Sequence, residues 1–129
     1  MNFFFDNPLS PNLAKAMNLL EEREGTVTHL KDIFPGDEKD EIWLPYVGNN
    51  DLVLITRDRK IRKRPAQLMA FKRHDVGAFI LTGKIMTKWQ GIRQLINAWE
   101  EIKRLNTITK KPYAFQIPLR GRKIQRLGL

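Results

Sequence analysis

Leu52-Val53-Leu54-Ile55 is the stretch that most narrows the choice of fold. Four consecutive apolar residues leave no polar face, so a strand formed here must be buried on both sides. Thr56, Arg57 and Asp58 follow directly. Open parallel sheets gather their ligands outside the carboxyl ends of the strands. A second run of the same kind, Phe3-Phe4-Phe5, stops at Asp6. Two parallel strands that each release a carboxylate at one edge begin a metal site.

The remaining segments fit around this pair. Ser10-Pro11 predicts a helix start, with serine as N-cap and proline where its missing N–H does no harm. Leu13, Ala16, Met17 and Leu20 follow at helical spacing, and Gly25 predicts the stop. A second strand is expected over 26–30, with Val27 and His29 on one face, then a loop over 31–39. Asp40 reads as the N-cap of a helix carrying Ile42, Trp43, Tyr46 and Val47, which Pro45 should kink or shorten. Pro65 predicts a helix to about Lys72, with Leu68, Met69 and Phe71 apolar, and Gly77–Leu81 a fourth strand. Thr87 and Gln90 fit a capping box. Trp89, Ile92, Leu95, Ile96, Trp99, Ile102 and Leu105 then mark a long amphipathic helix, with Trp89 and Trp99 expected in the core rather than stacked on bases. A fifth strand is expected over 113–119 and a basic tail over about 120–129. Strict alternation of strand and helix predicts an α/β fold: a three-layer α/β/α sandwich around a mostly parallel sheet of about five strands. At 129 residues the whole chain, 1–129, is expected to form one domain.

Charge divides the chain. Residues 1–56 carry 4 Lys/Arg against 10 Asp/Glu, a balance of −6, and residues 57–129 carry 19 against 4, a balance of +15, within the net +9. One part supplies carboxylates and the other is suited to a polyanion. The chain has no cysteine, which excludes disulfides and thiolate zinc sites. No apolar run suits a signal peptide or a membrane span, so a cytoplasmic protein with no membrane partner is expected. No glycine-rich phosphate loop is present, Ser10 lacks a nucleophile elbow, and His29 and His74 do not suggest a catalytic pair.

Asp6 ends the first strand, Asp58 follows the third, and Asp40 begins the helix before the third. In a doubly wound sheet these positions share one edge, so three carboxylates from distant parts of the chain are expected to converge. Hard oxygen donors of this kind suit Mg²⁺ or Mn²⁺, and such an ion can activate water and stabilise charge on a phosphodiester. Each acid also has a plain structural use. Asp40 can cap its helix, Asp6 can cap the turn before Ser10, and Asp58 can pair with a neighbouring arginine. Arg57, Arg59, Lys60, Arg62, Lys63 and Arg64 leave the same edge and are candidates for RNA phosphate binding. Arg120, Arg122, Lys123 and Arg126 form a second basic candidate, for RNA or for a protein partner.

Phe5-Asp6-Asn7-Pro8-Leu9, Asp40-Glu41-Ile42-Trp43-Leu44-Pro45 and Val53-Leu54-Ile55-Thr56-Arg57-Asp58 resemble the motifs of the compact PIN-like nuclease domains, which include VapC-type toxins of bacterial toxin–antitoxin pairs. The resemblance follows the element order of the whole chain and is strongest over 3–81. It implies a PIN-like fold and a metal-dependent endoribonuclease, using Mg²⁺ or Mn²⁺. Asp6, Asp40 and Asp58 would be its metal ligands, and Thr56 would orient Asp58 or the attacking water. The implied partners are single-stranded or structured RNA, with a cognate antitoxin and a second copy of the chain as open alternatives. Two departures stand out. No acid clearly matches the early helix acid of larger PIN nucleases, with Glu21, Glu22 and Glu41 as geometric substitutes, and Lys60 stands where a further acid is common. The alternative reading is a catalytically weak or inactive PIN-like scaffold that binds nucleic acid or a protein.

Overall fold

The computed structural model of the chain describes residues 1–36, 38–120 and 123–129. The strands are β1 (Asn2–Phe5), β2 (Thr26–His29), β3 (Val53–Thr56), β4 (Gly77–Leu81), β5 (Tyr113–Ile117) and β6 (Gln125–Leu127). The helices are α1 (Pro11–Glu21), α2 (Leu30–Ile33), α3 (Asp40–Asn49), α4 (Pro65–Arg73) and α5 (Lys88–Ile108). Among the described residues these five helices and six strands follow the order β1-α1-β2-α2-α3-β3-α4-β4-α5-β5-β6. One sheet holds all six strands in the order β2-β1-β3-β4-β5-β6. The first five run parallel, and β6 pairs antiparallel with β5.

Side chains alternate across the strands, so each central strand feeds two cores. Phe3, Phe5, Val53, Ile55 and Phe79 pack with Ala14 and Met17 of α1 and with Leu95, Trp99 and Ile102 of α5. Phe4, Leu54, Ala78 and Ile80 pack on the other face with Trp43, Leu44 and Val47 of α3 and Phe71 of α4. This is the three-layer α/β/α arrangement. Asp6 and Thr56 continue the alternation that puts Phe4 and Leu54 on the α3/α4 side, which directs them away from α1 and α5.

Several expectations are corrected. The tail contains a sixth strand, β6, which the polar run Gln125-Arg126-Leu127 does not announce because an exposed edge strand needs no apolar pattern. Arg122 lies outside the described residues. The loop expected over 31–39 opens with the short helix α2, closed by a reciprocal cap. His29 Nδ1 accepts from Lys31 N–H at 3.1 Å, and the Asp32 carboxylate accepts from His29 N–H at 3.0 Å. Lys39 is the N-cap of α3, without a side-chain hydrogen bond, so Asp40 is the first helical residue and its carboxylate is left for other contacts. Helix α3 continues through Pro45 to Asn49, and the hydrogen bond that proline removes would have gone to Glu41, on an exposed turn.

Trp89 is the largest correction. It is 70% exposed, whereas Trp99 is 7% and Trp43 1% exposed. The buried stripe of α5 is Gly91, Gln94, Leu95, Ala98, Trp99 and Ile102. At 3.6 residues per turn Trp89 and Ile96 lie on the opposite side, and Ile96 is exposed too. Leu20 of α1 and Met69 of α4 are likewise exposed.

Candidate functional site

β1 has β2 on one side and β3 on the other, so the chain direction across the sheet reverses between β1 and β3. Such a switch point opens a crevice at the carboxyl ends of its two strands. Asp6 and Thr56 end those strands. The register pairs Phe5 with Ile55, and Asp6 N–H donates to the Ile55 carbonyl at 3.3 Å. Asp6 is thereby set beside Thr56, whose hydroxyl donates to Asp6 Oδ2 at 2.7 Å. The same hydroxyl oxygen accepts from Asp58 N–H at 3.0 Å. Thr56 therefore ties two of the acids together, one through its carboxylate and one through its backbone. Asp58 Oδ1 accepts from Lys60 N–H at 3.0 Å, which turns the chain and aims the carboxylate back toward the sheet edge.

Asp6 is only 3% exposed, and its Oδ1 is buried with no hydrogen-bond partner. Burial pushes its pKa from 3.8 up to about 7, against the lowering effect of the Thr56 hydrogen bond, and the nearby charges of Asp40 and Asp58 raise it further. The pKa of Asp40 is raised as well, first by burial, then by Asp58 and Glu41, while Gln67 and Arg64 act against this. The three acids thus feel one another across a cleft of about 300 Å³ lined by Asp6, Asn7, Pro8, Asp40, Asp58 and Arg64, together with Glu38, Leu30 and Trp43.

Arg64 lies between two of the acids. Its Nη1 donates to Asp58 Oδ2 at 3.0 Å and to Asp40 Oδ2 at 3.4 Å, and Gln67 Nε2 also donates to Asp40 Oδ2 at 3.4 Å. Asp58, and then Asp40 and Glu41, raise the pKa of Arg64 in return. Arg64 is the N-cap residue of α4 and Gln67 lies in its first turn, so the position of α4 decides what the acids meet. Among the described residues, no group of three or more His, Cys, Asp or Glu side chains is arranged to hold a metal ion. The oxygen donor set and the orphaned Asp6 Oδ1 suit a hard divalent ion. Positive charge is supplied to Asp40 and Asp58 by the Arg64 guanidinium that lies across them.

The basic loop is not a uniform solvated patch. Arg57 turns toward α5 and is half-buried, its Nη2 donating to Gln94 Oε1 at 2.6 Å, and burial lowers its pKa. Gln94 in turn donates to the Thr82 and Ile117 carbonyls. Arg62 reaches the tail and donates to the Gly128 carbonyl at 2.9 Å. Arg59, Lys60 and Lys63 are exposed, while Ile61 between them is fully buried and anchors the loop.

Of the substitutes for an early helix acid, Glu21 accepts from Trp99 Nε1 at 2.8 Å and from Lys103 Nζ at 2.6 Å, tying α1 to α5, and neither it nor Glu22 or Glu41 lines the cleft. Glu38 does line it. The sequence carries no signal for Glu38 beyond its place two residues before Asp40. His29 is a further residue whose use the sequence hid. It is fully buried, its Nε2 donates to the Leu9 carbonyl at 2.8 Å, and its Nδ1 accepts from Lys31 N–H. It holds the carbonyl of Leu9, the residue that follows Asn7 and Pro8 of the cleft wall.

The sequence model of the family described as PIN like domain matches residues 1–83. No curated protein and no solved structure matches the chain significantly. The matched segment holds β1 through β4 and every acid of the cleft, and the α/β/α layering around a mostly parallel sheet agrees with it. No helix among the described residues is long and apolar enough to cross a membrane. The chain belongs to the PIN-like domain family, and its scaffold is of the nuclease type.

Proposed function

We propose that the chain is a metal-dependent endoribonuclease that acts on single-stranded RNA with Mg²⁺ or Mn²⁺. The observation that carries this reading is the buried Asp6 carboxylate at the β1/β3 switch point, one oxygen without a partner, facing Asp40 and Asp58 across the cleft. Asp6, Asp40 and Asp58 would hold the ion, with Glu38 beside them. When bound, the ion supplies activation of water and stabilisation of charge on the phosphodiester. Thr56 fixes the Asp6 carboxylate and the start of the Asp58 turn, a positioning role. Arg59, Lys60 and Lys63 offer exposed charge to the RNA backbone, and Arg64 exchanges its carboxylates for a phosphate when RNA enters.

The toxin role and a cognate antitoxin rest on the family resemblance, and a cytoplasmic location on the lack of any apolar run suited to a signal peptide or membrane span. That β6 of the tail joins the same sheet supports reading 1–129 as one unit. The second reading, a non-cleaving scaffold, is favoured by Arg64 lying across Asp40 and Asp58, where an internal cation can satisfy the acids permanently. Cleavage of a mixed single-stranded RNA pool with Mn²⁺, compared with Asp58→Asn and with added EDTA, separates the two. Metal-dependent cutting lost in the variant is expected. Salt-sensitive RNA binding with no cutting by the intact chain establishes the scaffold instead.

A further inference from the structure

Trp89 stands on the second residue of α5, fully outside the core that its helical spacing suggested. Met86, three residues before it, is 75% exposed. An exposed indole and thioether rimmed by polar residues form a surface that can receive a partner. Their surroundings say which kind. Residues 76–99 contain Lys84, Lys88 and Arg93 and no Asp or Glu. Arg93 follows Trp89 by four positions, so the two share a face of α5. All three cations are exposed, and none takes part in the ion pairs found among the described residues.

This patch belongs to the same sheet edge as the acids. The 82–87 segment that leads to it leaves the carboxyl end of β4, next to the end of β3. The two are also joined through side chains. Arg57, one residue before Asp58, lies so close to the first turn of α5 that its Nη2 would be 2.9 Å from a Cβ added at Gly91. A surface that pairs an aromatic face with unpaired cations fits a ligand made of flat bases on a charged backbone. A protein partner would need carboxylates opposite Lys84, Lys88 and Arg93 together with an apolar socket for the indole, two separate requirements that a nucleic-acid strand meets with its ordinary repeat.

We infer that Trp89, with Lys84, Lys88 and Arg93, is a base-stacking platform that receives single-stranded RNA leaving the acidic cleft. The inference rests on the nucleic-acid reading of that cleft and adds the element that grips the strand beyond it. Bases stack on Trp89 without regard to sequence, and the cations follow the phosphates.

Trp43 and Trp99 are buried, so the quenchable tryptophan emission of the intact chain belongs to Trp89. The probe is a short single-stranded 2′-O-methyl RNA oligonucleotide, titrated in EDTA so that cleavage plays no part. Binding is followed both by tryptophan quenching and by anisotropy of a label on the oligonucleotide. The expected result is quenching on binding, an affinity at least about fivefold weaker in Trp89→Ala, and recovery of most of it in Trp89→Phe. Unchanged affinity in Trp89→Ala by anisotropy overturns the platform and leaves nucleic-acid binding at the cleft intact. Binding by neither the intact chain nor any variant overturns the nucleic-acid reading itself and the platform with it. A change in sedimentation of Trp89→Ala without a change in oligonucleotide affinity overturns it in favour of a contact between copies of the chain.

Discussion

The Thr56 hydroxyl donates a hydrogen bond to Asp6 Oδ2 at 2.7 Å and accepts one from Asp58 N–H at 3.0 Å, so a single oxygen connects the ends of two parallel strands and the turn that follows. Thr56 is fully buried. Its replacement by valine keeps the shape and leaves both partners without a bond. The expected loss is about 1–3 kcal/mol of stability, because buried polar groups left unsatisfied bear their full desolvation cost. Thr56→Ser should recover most of it. Denaturant unfolding of the three proteins measures this, and equal stability of Thr56→Val and the intact chain would contradict the role given to the hydroxyl.

Asp6 makes stability depend on pH in a defined direction. Its pKa rises from 3.8 to about 7 on folding, so between those values the folded chain binds the more protons. Stability contributed by this group is therefore fully present below the lower value and declines as pH rises toward the upper one. The size is on the order of 4 kcal/mol across the window. Asp6→Asn cannot ionise and should be more stable than the intact chain at about pH 8, with the difference fading toward about pH 4. Melting temperatures of both proteins across that range, without divalent ions, test the sign. A variant less stable at the alkaline end would refute it.

Arg64 competes with any ion for Asp40 and Asp58. Arg64→Gln removes that competitor while keeping a hydrogen-bond donor. An exposed ion pair is worth up to about 1 kcal/mol, so Mn²⁺ should bind up to about fivefold more tightly to the variant. Calorimetric titration reads the affinity directly. RNA affinity should move the other way, since a phosphate contact is lost with the guanidinium.

His29 uses both ring nitrogens, one on Leu9 and one on the first turn of α2. His29→Ala loses both bonds and opens space beside Leu30. A cost of about 2–4 kcal/mol is expected from the two bonds and the cavity together. Because Leu9 directly follows Asn7 and Pro8 of the cleft wall, hydrogen exchange at Asn7 and Leu9 should quicken more than exchange in β4. Equal protection at both places would separate His29 from the cleft.

How much of this was legible in the sequence depended on where each signal lies. The strands Phe3-Phe4-Phe5 and Val53-Leu54-Ile55 announced themselves because they are buried on both faces and need apolar residues throughout. Their parallel direction and the sheet edge shared by Asp6, Thr56 and Asp58 were expected from alternation with helices, whereas the place of each strand in the sheet was not. Trp89 misled because a run of apolar residues spaced by three, four and seven fits two overlapping helical faces, and only the packing of Gly91, Leu95 and Ala98 against the sheet selects one. The pairing of Arg64 with Asp58 was open as a structural use of that acid, but its reach to Asp40 depends on where α4 begins relative to α3. The strand face of His29 was legible beside Val27, but its partners and those of Glu38 were not, since a single polar residue acquires its partners only when the chain has folded.

The β1/β3 boundary also sets when the cleft comes into being. Early in synthesis β1 and β2 can pair around α1, since every residue of that unit lies before position 30. Asp6 then waits at an open strand edge until Thr56 arrives fifty residues later, and Arg64 later still. Pairings this distant in the chain form slowly relative to local ones. A partly made or partly folded chain therefore carries Asp6 exposed to water and ionised, without its hydroxyl partner and without its neighbouring acids. The chemistry of the cleft belongs to the completed sheet, and no early fragment of the chain possesses it.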